Sequence, residues 1–198
     1  MKFTTAATAA AALMLLSHAP AVAAEPPLPA PMLAEDGFYH PDWFEVSFLD
    51  LKEDLRDAHA GGKQLVVVIE QRGCGACKRV HEVNLRLPKV VDFIKPRFAI
   101  IQLDLYGSRE ITDFDGEKLS EKEYARKLGV RATPTMLFYK DDGDATGGGN
   151  DAVAWKVAGY LEPEPFVNAF AYANRRAFKG GGDFIAWMKG PGEKVKAE

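Results

Sequence analysis

The feature that most restricts this chain is a run of aliphatic residues, Leu65-Val66-Val67-Val68-Ile69, which stops at Glu70 just before Cys74-Gly75-Ala76-Cys77. A branched run with no polar alternation is the pattern of a strand covered on both faces, so other elements must pack on either side of it. After Cys77 the period changes. Val80, Val83, Leu87, Val91 and Ile94 fall at roughly helical spacing, with Pro88 expected to kink or interrupt the helix. The two cysteines therefore sit where a buried strand gives way to a helix.

The remaining elements arrange themselves around that junction. Upstream, Ser47 with Asp50 reads as a helix start, with Phe48, Leu51, Leu55 and Ala58 on one face and Gly61-Gly62 as the stop. Downstream, Phe98 to Leu105 reads as a second strand, and Gly107 to Leu119 as a polar insertion with a turn at Asp115-Gly116. Ser120 and Glu123 form a capping box for a helix through Leu128, closed by Gly129. Met136 to Tyr139 and Ala152 to Val157 read as strands of a hairpin around a turn at Asp141-Asp142-Gly143. Pro163 and Pro165 suit the first turn of a last helix running to about Phe178, with Phe166, Phe170 and Ala173 inward. The order predicts an α/β fold with one parallel pairing ahead of a terminal hairpin.

Four segments follow: 1–24, a leader; 25–46, a proline-rich extension; 47–178, the domain; and 179–198, a glycine-rich tail expected to be mobile apart from a short packed turn at Phe184-Ile185-Ala186-Trp187-Met188. In the leader, Lys2 precedes the apolar stretch Ala6 to Leu16, and Val22-Ala23-Ala24 offers small residues for cleavage, the pattern of a secretory signal. The apolar stretch is shorter than the roughly 18 residues a membrane-spanning helix needs. Six of the twelve prolines lie between Pro20 and Pro41, so this stretch reads as an extended strap whose end, Phe38-Tyr39-His40-Pro41-Asp42-Trp43-Phe44, docks on the domain or forms a free patch. With 25 basic and 28 acidic residues the formal charge is −3 and the basic groups are scattered, which argues against nucleic acid as a partner.

Two cysteines separated by two residues close too small a loop to staple a fold. In an exported protein the same pair persists as a disulfide and turns over by exchange. At a helix N-terminus, unpaired N–H groups and the helix dipole favour a thiolate, which assigns Cys74 as the nucleophile and Cys77, a turn deeper, as the resolving thiol. Zinc wants about four ligands, and only His81 is spaced to join the cysteines, so no metal is expected. Glu70 is the nearest carboxylate and reads either as a proton relay for Cys77 or as an exposed strand end. Arg72, Lys78 and Arg79 read as thiolate stabilisers or a solvated face; His81 reads as a proton shuttle or, more simply, as a surface residue on the outer helix face, and Trp43, Trp155 and Trp187 as core.

The strand into Cys74-Gly75-Ala76-Cys77-Lys78, followed downstream by Val130-Arg131-Ala132-Thr133-Pro134-Thr135 and a strand, resembles the thioredoxin superfamily. The resemblance implies the thioredoxin fold, a central mixed sheet of about four strands flanked by helices. It also implies a cis bond before Pro134 facing the cysteines, with the Thr133 backbone as the edge of a substrate groove. Gly75-Ala76 shapes the motif where thioredoxin has Gly-Pro, and Val68 stands where thioredoxin has a buried Asp. Glu70-Gln71-Arg72-Gly73-Cys74, Pro88, the strand end at Asp104 and the insertion before Ser120 resemble SoxW-type periplasmic thioredoxins.

That closer resemblance implies a periplasmic, monomeric thiol-disulfide oxidoreductase with no bound cofactor. Its partners would be disulfides of sulfur-oxidation or cytochrome-maturation proteins, and its electrons would come from an inner-membrane CcdA or DsbD-like transporter. A protein disulfide oxidase, and a metal-binding or adaptor protein on the same fold, are the alternatives.

Overall fold

The computed structural model describes residues 25–140, 147–179 and 181–198. The proposed leader, and the hairpin turn at Asp141-Asp142-Gly143, lie outside them. Helix α1 (Leu51–Ala60) buries Leu51, Leu55 and Ala58, and β1 (Gln64–Glu70) is buried along its whole length. Helix α2 (Gly75–Glu82) is followed by a 3₁₀ turn at Asn84–Arg86 and then by α3 (Pro88–Ile94). Pro88 thus splits the expected helix by opening a new one, where its missing N–H costs nothing. Strand β2 (Phe98–Asp104) leads into the insertion, which folds as a small hairpin of β3 (Glu110–Thr112) and β4 (Lys118–Ser120). The Ser120–Glu123 capping box opens α4 (Glu121–Lys127) as expected. Strand β5 (Thr135–Tyr139), the short α5 (Gly149–Ala152), β6 (Val153–Ala158), α6 (Pro163–Asn174) and α7 (Phe184–Lys189) complete the order.

The main sheet has the order β2-β1-β5-β6, with β1 and β2 parallel and β5 antiparallel to both β1 and β6. This is the mixed four-stranded sheet flanked by helices that the thioredoxin fold requires. Alternation along β1 explains its unbroken apolar run. Leu65, Val67 and Ile69 join a core with Leu51, Leu55 and Tyr124, while Val66 and Val68 join a second core with Val80, Ile94 and Phe170 on the opposite face.

The start of α1 differs from the sequence reading. Asp50 is the cap, accepting from the Glu53 N–H at 3.1 Å, whereas Ser47 donates to the Asp54 carboxylate. Leu49 adopts a positive φ of 64°, which turns the chain so that Leu49 is buried and Phe48, expected inside, is fully exposed.

The two extensions pack on the domain. Phe38 and Tyr39 of the strap are buried, Trp43 and Phe44 lie against the second core, and the Glu45 N–H donates to the Ile100 carbonyl at 2.7 Å on the edge of β2. The tail, expected to be mobile, returns to α6. Phe184 and Trp187 meet Tyr172 at ring distances of 5.4 and 5.5 Å, and Asn168 exchanges two hydrogen bonds with the Val195 backbone. Apolar residues spaced through the glycine stretch supply the contacts that order it, and Ala197 ends buried.

Candidate active site

Cys74 is the N-cap residue of α2, reached through Gly73, whose φ of 69° a side chain would strain. Its Sγ is bonded to Cys77 and accepts the Cys77 backbone N–H at 3.0 Å, one of the four donors a helix start leaves unpaired. Cys74 is half-buried, whereas Cys77 is only 5% exposed. Gly75 is open to solvent with nothing close to where a side chain would begin, and Ala76 is half-buried beside it.

The loop before β5 closes on the cysteines from the other side. The Thr133–Pro134 bond is cis, as the resemblance implies, and the Thr133 hydroxyl lies 3.3 Å from Cys74 Sγ. Thr135 Oγ1 donates to the Ala132 carbonyl at 2.7 Å, and the Gly159 N–H donates to the Pro134 carbonyl at 2.7 Å, so the loop is fixed at both ends. A cleft of about 140 Å³ runs beside the disulfide, lined by both cysteines, Glu70, Lys78 and, from the strap, Leu33 and Tyr39.

Val68 is buried and apolar, so the position of thioredoxin's acid carries none. Glu70 lies two residues further along the same face of β1, a displacement of roughly 6 to 7 Å towards the cysteines. It is buried, not an exposed strand end. It accepts from His81 Nε2 at 3.0 and 3.1 Å and from Gln102 Nε2 at 2.5 Å. His81 is correspondingly buried, which corrects its reading as a surface residue. Tyr39 of the strap stacks on its ring at 5.0 Å and Phe44 lies at 6.2 Å, so the covering comes from a segment far away in sequence. The Tyr39 hydroxyl donates to Glu82 at 2.9 Å, and burial together with that carboxylate pushes its pKa up.

The basic residues near the motif belong to the solvated face. Lys78 pairs with Glu82 at 3.8 Å, and Arg79 pairs with Glu162 at 2.9 Å while lying over the Tyr160 ring. Trp43 and Trp155 pack against the second core, and Trp187 packs on Tyr172. His81 faces Glu70, not the cysteines. Among the described residues, the one cluster of three carboxylates, Asp113, Asp115 and Glu117, already holds the Lys127 ammonium.

Comparison with known proteins bears on the family and the fold. A family profile described as a thioredoxin-like domain matches residues 51–174. A thioredoxin of Aspergillus fumigatus is 32% identical over 92 residues, which covers 46% of this chain and 70% of that protein. A thioredoxin-fold protein from Helicobacter pylori aligns with a TM-score of 0.51 at 18% identity, covering 65% of this chain and 79% of that one. The solution structure of a thioredoxin from Thermus thermophilus aligns with a TM-score of 0.47 at 20% identity, covering 67% and 87%.

Proposed function

This chain belongs to the thioredoxin-like domain family and is a thiol-disulfide oxidoreductase, and on that premise we propose that it reduces disulfides of exported proteins in the periplasm. The observation that carries the reading is the Cys74–Cys77 disulfide at the start of α2, with the half-buried Cys74 turned towards Thr133 and the cis-proline loop. An incoming thiolate or disulfide meets Cys74 first. Cys77, behind it, then displaces or releases the partner.

In the reductive direction, Cys74 attacks a partner disulfide and Cys77 closes on Cys74, so the partner leaves with the electrons of the dithiol. The Cys77 thiol loses a proton in that step, and Glu70, which lines the same cleft, is the acceptor. Gly75 and Ala76 leave the approach to Cys74 open, and the Thr133 backbone supplies the edge against which an extended partner segment lies.

The compartment rests on the leader pattern in 1–24 and the SoxW-like sequence around the motif. The same resemblance supports sulfur-oxidation or cytochrome-maturation proteins as partners and a CcdA or DsbD-like transporter as electron source. The mature protein then begins at Glu25, and sequencing the N-terminus of exported protein tests this. Equilibration of the disulfide with glutathione decides the direction of electron flow. A potential near that of thioredoxin, about −270 mV, supports the reductant, whereas one near −120 mV makes the protein an oxidase.

A further inference from the structure

His81 is a buried titratable side chain that the reaction as described does not use. Its Nε2 faces both oxygens of Glu70, and its Nδ1 is buried with no hydrogen-bond partner. Both neighbours of Nε2 are acceptors, so in the charged state of Glu70 the ring proton sits on Nε2 and Nδ1 is bare. An unpaired buried nitrogen costs about 1 to 3 kcal/mol. An apolar side chain of similar size would fill the space without that cost, so packing does not account for an imidazole here.

A proton acceptor in a closed site must be held in two states. As a carboxylate Glu70 needs donors, and as a carboxylic acid it needs an acceptor for its own O–H. Gln102 Nε2 supplies only a donor. The imidazole Nε2–H holds one carboxyl oxygen in both states, and the other oxygen, once protonated, has the Cys77 sulfur of the same cleft as its acceptor. We propose that His81 is the positioning residue for thiol exchange at Cys77, its Nε2–H holding one oxygen of Glu70 so that the other takes and returns the Cys77 proton.

The proposal rests on Glu70 as the proton acceptor for Cys77. In the closing step the Cys77 S–H bond breaks and its electron pair forms the bond to Cys74. The partner's sulfur leaves with the pair of the mixed disulfide, and the proton passes to one oxygen of Glu70 while the other keeps accepting the His81 Nε2–H. In the opening step an external thiolate bonds to Cys74, Cys77 leaves with the electron pair, and Glu70 returns the proton. Around the pair stand Gln102 from β2, Tyr39 from the strap with its hydroxyl on Glu82, and Lys78 on α2 at the cleft. From β5 and α6 only Met136, Phe166 and Phe170 face it, so these elements bring no further titratable group.

The test is the rate at which dithiothreitol reduces the full-length disulfide form, followed from pH 5 to 9, with thermal melts as the measure of folding. His81→Leu should slow reduction about tenfold at pH 7 and alter the pH profile, and Glu70→Gln should do the same. His81→Gln, whose amide can donate to Glu70 in place of Nε2–H, should stay within about threefold of the parent. If His81→Leu does not melt cooperatively, His81→Asn, polar but too short to reach Glu70, replaces it with the same expectation. Parental rate and profile in the His81→Leu or His81→Asn variant, with Glu70→Gln slow, overturn the role of His81 and leave the Glu70 relay standing. Parental behaviour in both overturns both, and slow reduction in the His81 variant alone overturns the claim that His81 acts through Glu70.

Discussion

The Thr133 hydroxyl and the Cys74 sulfur, 59 residues apart in sequence, lie 3.3 Å from each other. Together with the Cys77 N–H at 3.0 Å, this gives Cys74 two donors aimed at the atom that carries negative charge in the reduced protein. Thr133→Val keeps the shape and removes one donor. Alkylation of reduced Cys74 by iodoacetamide should slow about threefold at neutral pH, with the midpoint of its pH dependence moved upward, because the thiolate loses a charge-assisted bond. An unchanged midpoint would show that the helix start alone sets the reactivity of Cys74.

Access divides the two cysteines more sharply than sequence order does. Cys77 is 5% exposed beneath a half-buried Cys74. Cys77→Ser should therefore accumulate a covalent complex with partner proteins, since Cys74 still attacks while no thiol remains to resolve the product. Cys74→Ser should trap almost nothing. Non-reducing gels of extracts after pull-down of each variant read this directly, and equal trapping by both would reverse the assignment of roles.

The cysteine pair and the strands of the main sheet were legible in the sequence because each leaves a local mark, a motif or a run of branched residues, whereas the cis bond before Pro134 came only from the resemblance to thioredoxins. The Glu70–His81 pair leaves none. His81 falls on a helix face that is solvent-exposed until Tyr39 and Phe44 of the strap cover it, and spacing along α2 cannot register that contact. Phe48 was misplaced for a related reason, since the positive φ at Leu49 shifts the buried position by one residue. The β3–β4 hairpin was missed because strands of three residues are too short to show alternation, although Ile111 and Leu119, paired across the turn at Asp115-Gly116, were its trace.

Lys127 anchors the insertion to the domain. Its ammonium meets Asp113 at 2.5 Å and Glu117 at 2.6 Å, which pushes its pKa up, and the Asp113 side chain is fully buried while also accepting from the Phe114 and Gly149 N–H groups. Lys127→Met leaves that carboxylate without its cation and should lower stability by about 2 to 3 kcal/mol. Adding Asp113→Asn should restore part of the loss, because the buried charge itself is then gone. Urea midpoints of the two variants measure both effects, and a neutral single variant would mean that the two N–H donors suffice.

Asp54 supplies the pH dependence whose sign is fixed by the structure. Burial raises its pKa to about 6 from an ordinary 3.8; the Ser47 hydroxyl opposes the rise, and the neighbouring Asp50, Asp57 and Glu53 add to it. A carboxyl whose folded pKa lies above its unfolded one binds more protons in the folded state. Its contribution is therefore favourable below about pH 4 and is lost as the pH climbs through 6. Asp54→Asn retains an oxygen to accept from Ser47 and has no charge to bury. The variant should match the parent near pH 4 and exceed it by about 1 kcal/mol at pH 7.5, a figure reduced from the full linkage value because the group is partly solvated. Thermal melts at the two pH values give the comparison. A difference that stays constant between them would mean that Asp54 ionises in the folded protein as it does in the unfolded chain.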